Sequence, residues 1–172
     1  MKTVLLLRHG KSGWGDPSLE DHERPLAPRG IAAAKTIGRL LRDRGLIPER
    51  IMCSSARRTQ ETLSQLGVGF GDGLPPASIE PELYLASAEA LIDRFRTLPD
   101  DANSAMIIGH NDGMHFCAQR LTGRADPADL TKLASGFPTA GLAVIAFDVE
   151  RWFDLGEGRG RLVSLVFPRE ID

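Results

Sequence analysis

With 172 residues, 42% of them hydrophobic and 26% charged, the chain is long enough to bury a core without disulfide staples, and a single domain over residues 1–172 is expected. A formal net charge of −2 argues against a general binder of nucleic acid or of anionic membranes, although a local basic pocket stays open. The two cysteines, Cys53 and Cys117, are not spaced as a framework and read as buried reduced thiols.

Met1 to Leu7 is the first strand. Its unbroken apolar run, Val4 to Leu7, marks burial on both faces, and such a strand delivers Arg8-His9-Gly10-Lys11-Ser12 to the carboxyl edge of a sheet. The run is shorter than the apolar region of a secretory leader, which spans about 7–15 residues, and no stretch of transmembrane length follows, so a cytoplasmic location is expected. Ser12 to Pro25, with Asp16, Glu20, Asp21, His22, Glu23 and Arg24, reads as a solvated loop over that edge; its carboxylates are not spaced as a calcium loop. Pro28 to Arg44 is an amphipathic helix, with Ile31, Ala34, Ile37, Leu40 and Leu41 on one face, Pro28 in its first turn and Gly45 at its stop.

Ile47 to Cys53 holds the second strand, and Ser54 to Leu66 the second helix. A strand again ends in a small-residue turn with basic residues at a helix start, where unpaired N–H groups and the positive dipole end favour phosphate. Gly67 to Pro76 reads as a loop because of its glycine and proline. Ser78 to Leu85 holds a short strand and turn, and Ser87 caps a third helix that buries Leu91, Ile92, Phe95 and Leu98 before Pro99. The third parallel strand, Ser104 to Ile108, runs into Gly109-His110-Asn111-Asp112-Gly113 and a helix from about Asp112 to Leu121. Gly123 to Phe137 is a polar connection with a short helix at Pro127 to Leu133. Finally Gly141 to Asp148 and Arg161 to Phe167 pair as a hairpin across a turn-prone stretch. The expected fold is α/β: a three-layer sandwich, a mostly parallel central sheet with helices on both faces, and a C-terminal antiparallel hairpin.

Successive parallel strands place Arg8, His9, Arg58 and His110 on one rim, a set suited to a tetrahedral dianion. Guanidinium forks match phosphate oxygens, and a histidine attacks phosphorus if one ring nitrogen is unprotonated while the other donates to a fixed acceptor. His9, on the tight turn, fits that role with a backbone carbonyl as acceptor; the other three would stabilise equatorial oxygens without a metal ion or cofactor. His110 and His115 are not spaced as a zinc motif. His22 and His115 read as surface or satisfied structural histidines, Lys11 as an anion-steering or merely solvated cation, and Trp14 and Trp152 as packing anchors.

The residues Arg8-His9-Gly10-Lys11-Ser12, the run Ser54 to Thr62 and Gly109-His110 together resemble the histidine phosphatase superfamily. Lys11-Ser12 followed by Trp14, Asp21-His22-Glu23-Arg24-Pro25-Leu26 and Arg29-Gly30 are similar to its small bacterial phosphohistidine phosphatase branch. The resemblance implies His9 as the phosphorylated nucleophile, with Arg8 and His110 in the phosphate site. The spacing Ser54, Arg58, Thr62 implies that Arg58 rather than Arg57 holds phosphate, and Ser12 matches a residue that touches phosphate in larger relatives. Two departures stand out. Gly15 replaces an asparagine of mutase-like members, and Leu83-Tyr84-Leu85 replaces the L-x-E that supplies a general acid, leaving Glu82 nearby but shifted and better read as a surface carboxylate. An alkoxide needs a proton to leave, whereas an imidazole can already carry one near neutral pH, so the missing acid favours a P–N substrate. The reading is a metal-independent phosphatase acting on phosphohistidine in a protein such as a histidine-containing phosphotransfer domain. A phosphomonoesterase on a small phosphorylated metabolite and a non-catalytic phosphate- or phosphoprotein-binding module are the alternatives; no nucleic-acid or membrane partner is implied.

Overall fold

In the computed structural model, residues 1–13 and 15–170 are described, so Trp14 lies outside them. Their elements, in chain order, are β1 (Lys2–Arg8), α1 (Pro28–Asp43), β2 (Arg50–Ser54), α2 (Arg57–Phe70), β3 (Ala77–Glu80), α3 (Ala88–Arg96), β4 (Ser104–Gly109), α4 (Gly113–Leu121), β5 (Thr122–Arg124), α5 (Pro127–Ser135), β6 (Leu142–Phe147) and β7 (Gly160–Val166), with short 3-10 turns between some of them. Among the described residues the strands form one sheet in the order β3-β2-β4-β1-β6-β7-β5. The β3, β2, β4 and β1 strands are parallel, and β6 and β7 add the antiparallel hairpin expected from the sequence.

The alternation of β1 explains the three layers. Leu5 and Leu7 face a core built with Ile37 and Leu41 of α1 and Leu66 and Phe70 of α2. Val4 and Leu6 face the opposite core, with Leu91 and Phe95 of α3, Met114 and Cys117 of α4, and Leu133 of α5. Successive strand residues point to opposite faces, so an unbroken apolar run is what a central strand covered on both sides requires. Trp152 is fully buried and stacks on Phe95 at 6.1 Å between ring centroids. Cys53 and Cys117 are free and buried, and burial pushes both thiols up to about 12.

Two elements differ from the sequence expectation. Helix α2 continues through Gly67 and Gly69 to Phe70 where a loop was expected. A Cβ on Gly69 would sit 2.0 Å from the Lys35 carbonyl oxygen, and one on Gly38 would sit 2.2 Å from the Leu66 carbonyl oxygen. These glycines let α1 and α2 touch backbone to backbone, and packing outweighs their poor helix propensity of about 1 kcal/mol each. The other is β5, which pairs in parallel with β7 inside the expected polar connection. At three residues it is too short to show a strand period.

Candidate active site

Register sets the site. Arg8 lies opposite Gly109 in the β1–β4 pair, and Cys53 opposite Ile108 in the β2–β4 pair, so three parallel strands end level with one another. His9, His110 and the start of α2 therefore meet at one carboxyl edge. The residues Arg8, His9, Lys11, Ser12, Asp21, Arg24, Arg58, Leu85, His110, Asn111 and Thr139 line a cleft of about 430 Å³ there. All five sequence-predicted site residues, Arg8, His9, Ser12, Arg58 and His110, are brought together in it.

His9 is held from several sides. Its N–H donates to Gly109 O at 3.1 Å, and its carbonyl accepts from Ala140 N–H at 2.9 Å. Ring Nδ1 lies 2.7 Å from Gly10 O. A carbonyl only accepts, so Nδ1 carries the proton and Nε2 keeps the ring's lone pair. The turn carrying it is fixed by Thr62, whose Oγ1 accepts from Gly10 N–H at 3.0 Å and donates to Arg58 O at 2.7 Å. Gly10 is required because a Cβ there would lie 2.7 Å from Gly30 O in the first turn of α1. Burial, followed by the repulsion of Arg58, Arg8 and Arg24, lowers the His9 pKa to about 4, the Gly10 hydrogen bond opposing it.

His110 sits 5.3 Å from His9 between ring centroids. Its Nδ1 accepts from Arg58 Nη2 at 3.3 Å, leaving Nε2 to donate to Ser54 Oγ at 2.8 Å. Burial and the neighbouring cationic groups lower its pKa to about 3, opposed by Asp21. Arg8 is anchored through Nη1 to Phe137 O at 3.0 Å, and Arg58 through Nη1 to Asp21 O at 2.7 Å. The buried Nε atoms of both arginines have no acceptor among the described residues. Buried unsatisfied donors on cations are costly, and an anion's oxygens would relieve that cost. Arg57 points outward to Glu61 at 3.3 Å, whereas Arg58 is only 2% exposed.

The loop read as merely solvated contributes to the site. Asp21 Oδ2 accepts from Arg58 Nη2 at 3.0 Å and from the Tyr84 hydroxyl, while Oδ1 accepts from Arg24 Nε at 3.1 Å and Nη2 at 2.9 Å. Arg24 Nη1 also donates to Ser12 Oγ at 2.7 Å. The loop is pinned by a bridge between Ser12 and Leu26, and by Leu26 N–H donating to Glu61 Oε1 at 2.8 Å. His22 reaches Ser55 Oγ at 2.9 Å and packs edge-on against Tyr84, so it is a satisfied structural residue, as is His115, whose ring donates to Leu133 O at 2.6 Å. Glu82 is exposed on the turn before Tyr84 and does not line the cleft, so it is unsuited to acid catalysis there; Leu85 at the L-x-E position does line it. Asp21, Arg24 and Tyr84 were missed because nothing local in the sequence ties them to Arg58. The cluster of charge before Pro25 was the available signal.

Two histidines and three arginines around one cleft at an α/β sheet edge make a site suited to an anion such as phosphate. The histidine phosphatase superfamily (branch 1) family model matches residues 4–84. An uncharacterised protein of Mycobacterium leprae is 32% identical over 167 residues, covering 95% of this chain and all of that one. A crystal structure from Agrobacterium tumefaciens, provisionally named a phosphohistidine phosphatase, SixA, is 30% identical, with a TM-score of 0.82 over 97% of this chain and 98% of the other. The protein histidine phosphatase SixA complexed with tungstate, at 19% identity, shares the fold with a TM-score of 0.79 over 99% of both chains. The chain belongs to the histidine phosphatase superfamily and is a phosphatase of the hydrolase class. Among its described residues no helix is long and apolar enough to cross a membrane.

Proposed function

We propose that the chain works as one histidine phosphatase domain that removes phosphate from phosphohistidine in a protein, through a covalent intermediate on His9. The observation that carries the nucleophile is the commitment of His9 Nδ1 to Gly10 O at 2.7 Å, which reserves the Nε2 lone pair for phosphorus. A pKa lowered to about 4 keeps that lone pair free at neutral pH. Attack forms a P–N bond as the bond to the leaving group breaks, and water then hydrolyses phospho-His9. Arg8 and Arg58 neutralise the equatorial oxygens, which bear the charge of a loose transition state. Once a dianion raises its proton affinity, His110 can exchange the bond its Nδ1 accepts from Arg58 for one donated to a phosphate oxygen. Ser12 keeps its hydroxyl proton for a phosphate oxygen while its oxygen accepts from Arg24.

The substrate choice is supported by the apolar side chain of Leu85 at the L-x-E position and by the exposure of Glu82 away from the cleft. Without a proton donor there, an imidazole is an easier leaving group than an alkoxide. Two free, buried thiols are compatible with a cytoplasmic site of action. The test compares hydrolysis of a phosphohistidine protein with a panel of phosphate monoesters, without added metal, for the wild type and His9→Ala. A strong preference for phosphohistidine, lost in His9→Ala, is expected. Preference for the esters would overturn the substrate, and an active His9→Ala enzyme would overturn the nucleophile.

A further inference from the structure

Among the described residues lining the cleft, Asp21 is the only carboxylate. It is held by the guanidinium groups of Arg24, from the same loop, and Arg58, from α2, and by the hydroxyl of Tyr84, beyond β3. His110, beyond β4, also feels its charge, while the nearby His22 packs on Tyr84 and turns its ring nitrogens to Glu23 and Ser55. The Asp21 side chain is 44% exposed, so it faces the cleft as well as its partners. The Tyr84 hydroxyl first, then the two arginines, hold the carboxyl well below the usual carboxylate range, burial opposing them.

A carboxylate kept ionised in this way is a poor proton donor but can accept an N–H, which takes the place of the Tyr84 hydroxyl on Oδ2. Resting on the phosphohistidine reading, we propose that Asp21 selects the leaving group: it accepts a hydrogen bond from the N–H of the departing imidazole, at the ring nitrogen not bonded to phosphorus. The step balances without a co-reactant. The His9 Nε2 lone pair forms the new P–N bond, and the electron pair of the old P–N bond returns to the leaving ring. The substrate ring reacts in its protonated form, so it keeps the proton of its other nitrogen on Asp21 and departs as neutral imidazole. His9 becomes the protonated phosphoimidazole, its Nδ1 proton on Gly10 O, so each ring keeps a proton on a fixed oxygen acceptor throughout. An ester offers no such N–H, and its leaving oxygen would develop negative charge near the Asp21 carboxylate. The same side chain thus favours one leaving group and opposes the other.

The test uses two small probes, phosphoimidazole and p-nitrophenyl phosphate, whose phenolate leaves without proton assistance. kcat/KM is measured from pH 5.5 to 9 for the wild type, Asp21→Asn and Tyr84→Phe. In Asp21→Asn the backbone carbonyl still holds Arg58 Nη1. Its preference for phosphoimidazole over the aryl phosphate is expected to fall about tenfold or more, and the alkaline limb of its phosphoimidazole profile to move down by about one pH unit. Tyr84→Phe removes a donor from the carboxylate, makes it a stronger acceptor and should move that limb up, a direction that structural damage would not produce. Equal loss on both probes in Asp21→Asn, or an alkaline limb unmoved in either variant, overturns the role of Asp21. Should Asp21→Asn fail to fold, the direction of the Tyr84→Phe limb decides. A wild type that prefers the aryl phosphate instead overturns the phosphohistidine reading beneath it.

Discussion

Lowering the pH from 8 to 5 should destabilise the fold through its buried histidines, in a window separate from that of its carboxylates. His9 ionises at about 4 in the folded chain against an ordinary 6.5, chiefly because burial strips water from the ring and then because Arg58, Arg8 and Arg24 repel a second positive charge. The unfolded chain therefore binds the proton first. Stability contributed by the neutral ring is complete above pH 6.5, declines as the pH falls, and is lost by pH 4. Linkage puts the loss from His9 at about 2 kcal/mol between pH 8 and pH 5. His110, lowered to about 3, adds to the same slope. Asp21 acts in a lower window: its folded pKa lies below the ordinary 3.8, so the stability it gives is present above that value and lost only as the pH drops further. Urea unfolding followed by tryptophan fluorescence at several pH values would measure the effect in the wild type and in His9→Gln. The wild type should lose about 2 kcal/mol more than the variant over this range. Parallel curves would refute the assignment of a neutral, desolvated His9, and with it the lone pair on which attack depends.

Three further outcomes are expected. Gly69→Ala forces a Cβ to within 2.0 Å of Lys35 O and should cost about 2 kcal/mol or more, whereas Gly67→Ala, with nothing within 4 Å, should stabilise by about 0.5–1 kcal/mol; thermal unfolding of the pair separates helix contact from helix propensity. Thr62→Val leaves the buried N–H of Gly10 without its acceptor, so a loss of about 1–3 kcal/mol and a reduced kcat are expected, with Thr62→Ser retaining most of both in unfolding and steady-state assays. Arg58→Lys gives up the fork that bonds Asp21 and the His110 ring together, and kcat/KM on phosphoimidazole should fall about 100-fold, which initial-rate measurements would show.

Much of the fold was legible because its signals are local. An apolar run before Arg8, the spacing of Ile37 and Leu41, the Ser87 cap and the two β-rich segments near the end each report a period or a terminus that few neighbours can change. The rim of Arg8, His9, Arg58 and His110 was legible for the same reason: each lies at a strand's end or in the turn or helix start that follows it, and parallel strands share one edge. Choosing Arg58 over Arg57 needed the family spacing, and the burial of Arg58 beside an outward Arg57 gives the physical basis.

What the residues alone determined is the order of the strands and helices apart from the short β5, and the delivery of two histidines and two arginines to a common edge, since periodicity and strand ends are properties of short stretches. Only the tertiary structure decided that the helix runs on through Gly69 to Phe70, because the reason is the backbone of α1 at Lys35 across from Gly69. It alone decided that Asp21 meets Arg58 and Tyr84, 37 and 63 residues away along the chain. Such meetings depend on how a loop is pinned over the sheet, as the Ser12–Leu26 bridge and the Glu61 carboxylate pin this one, and no periodicity encodes them.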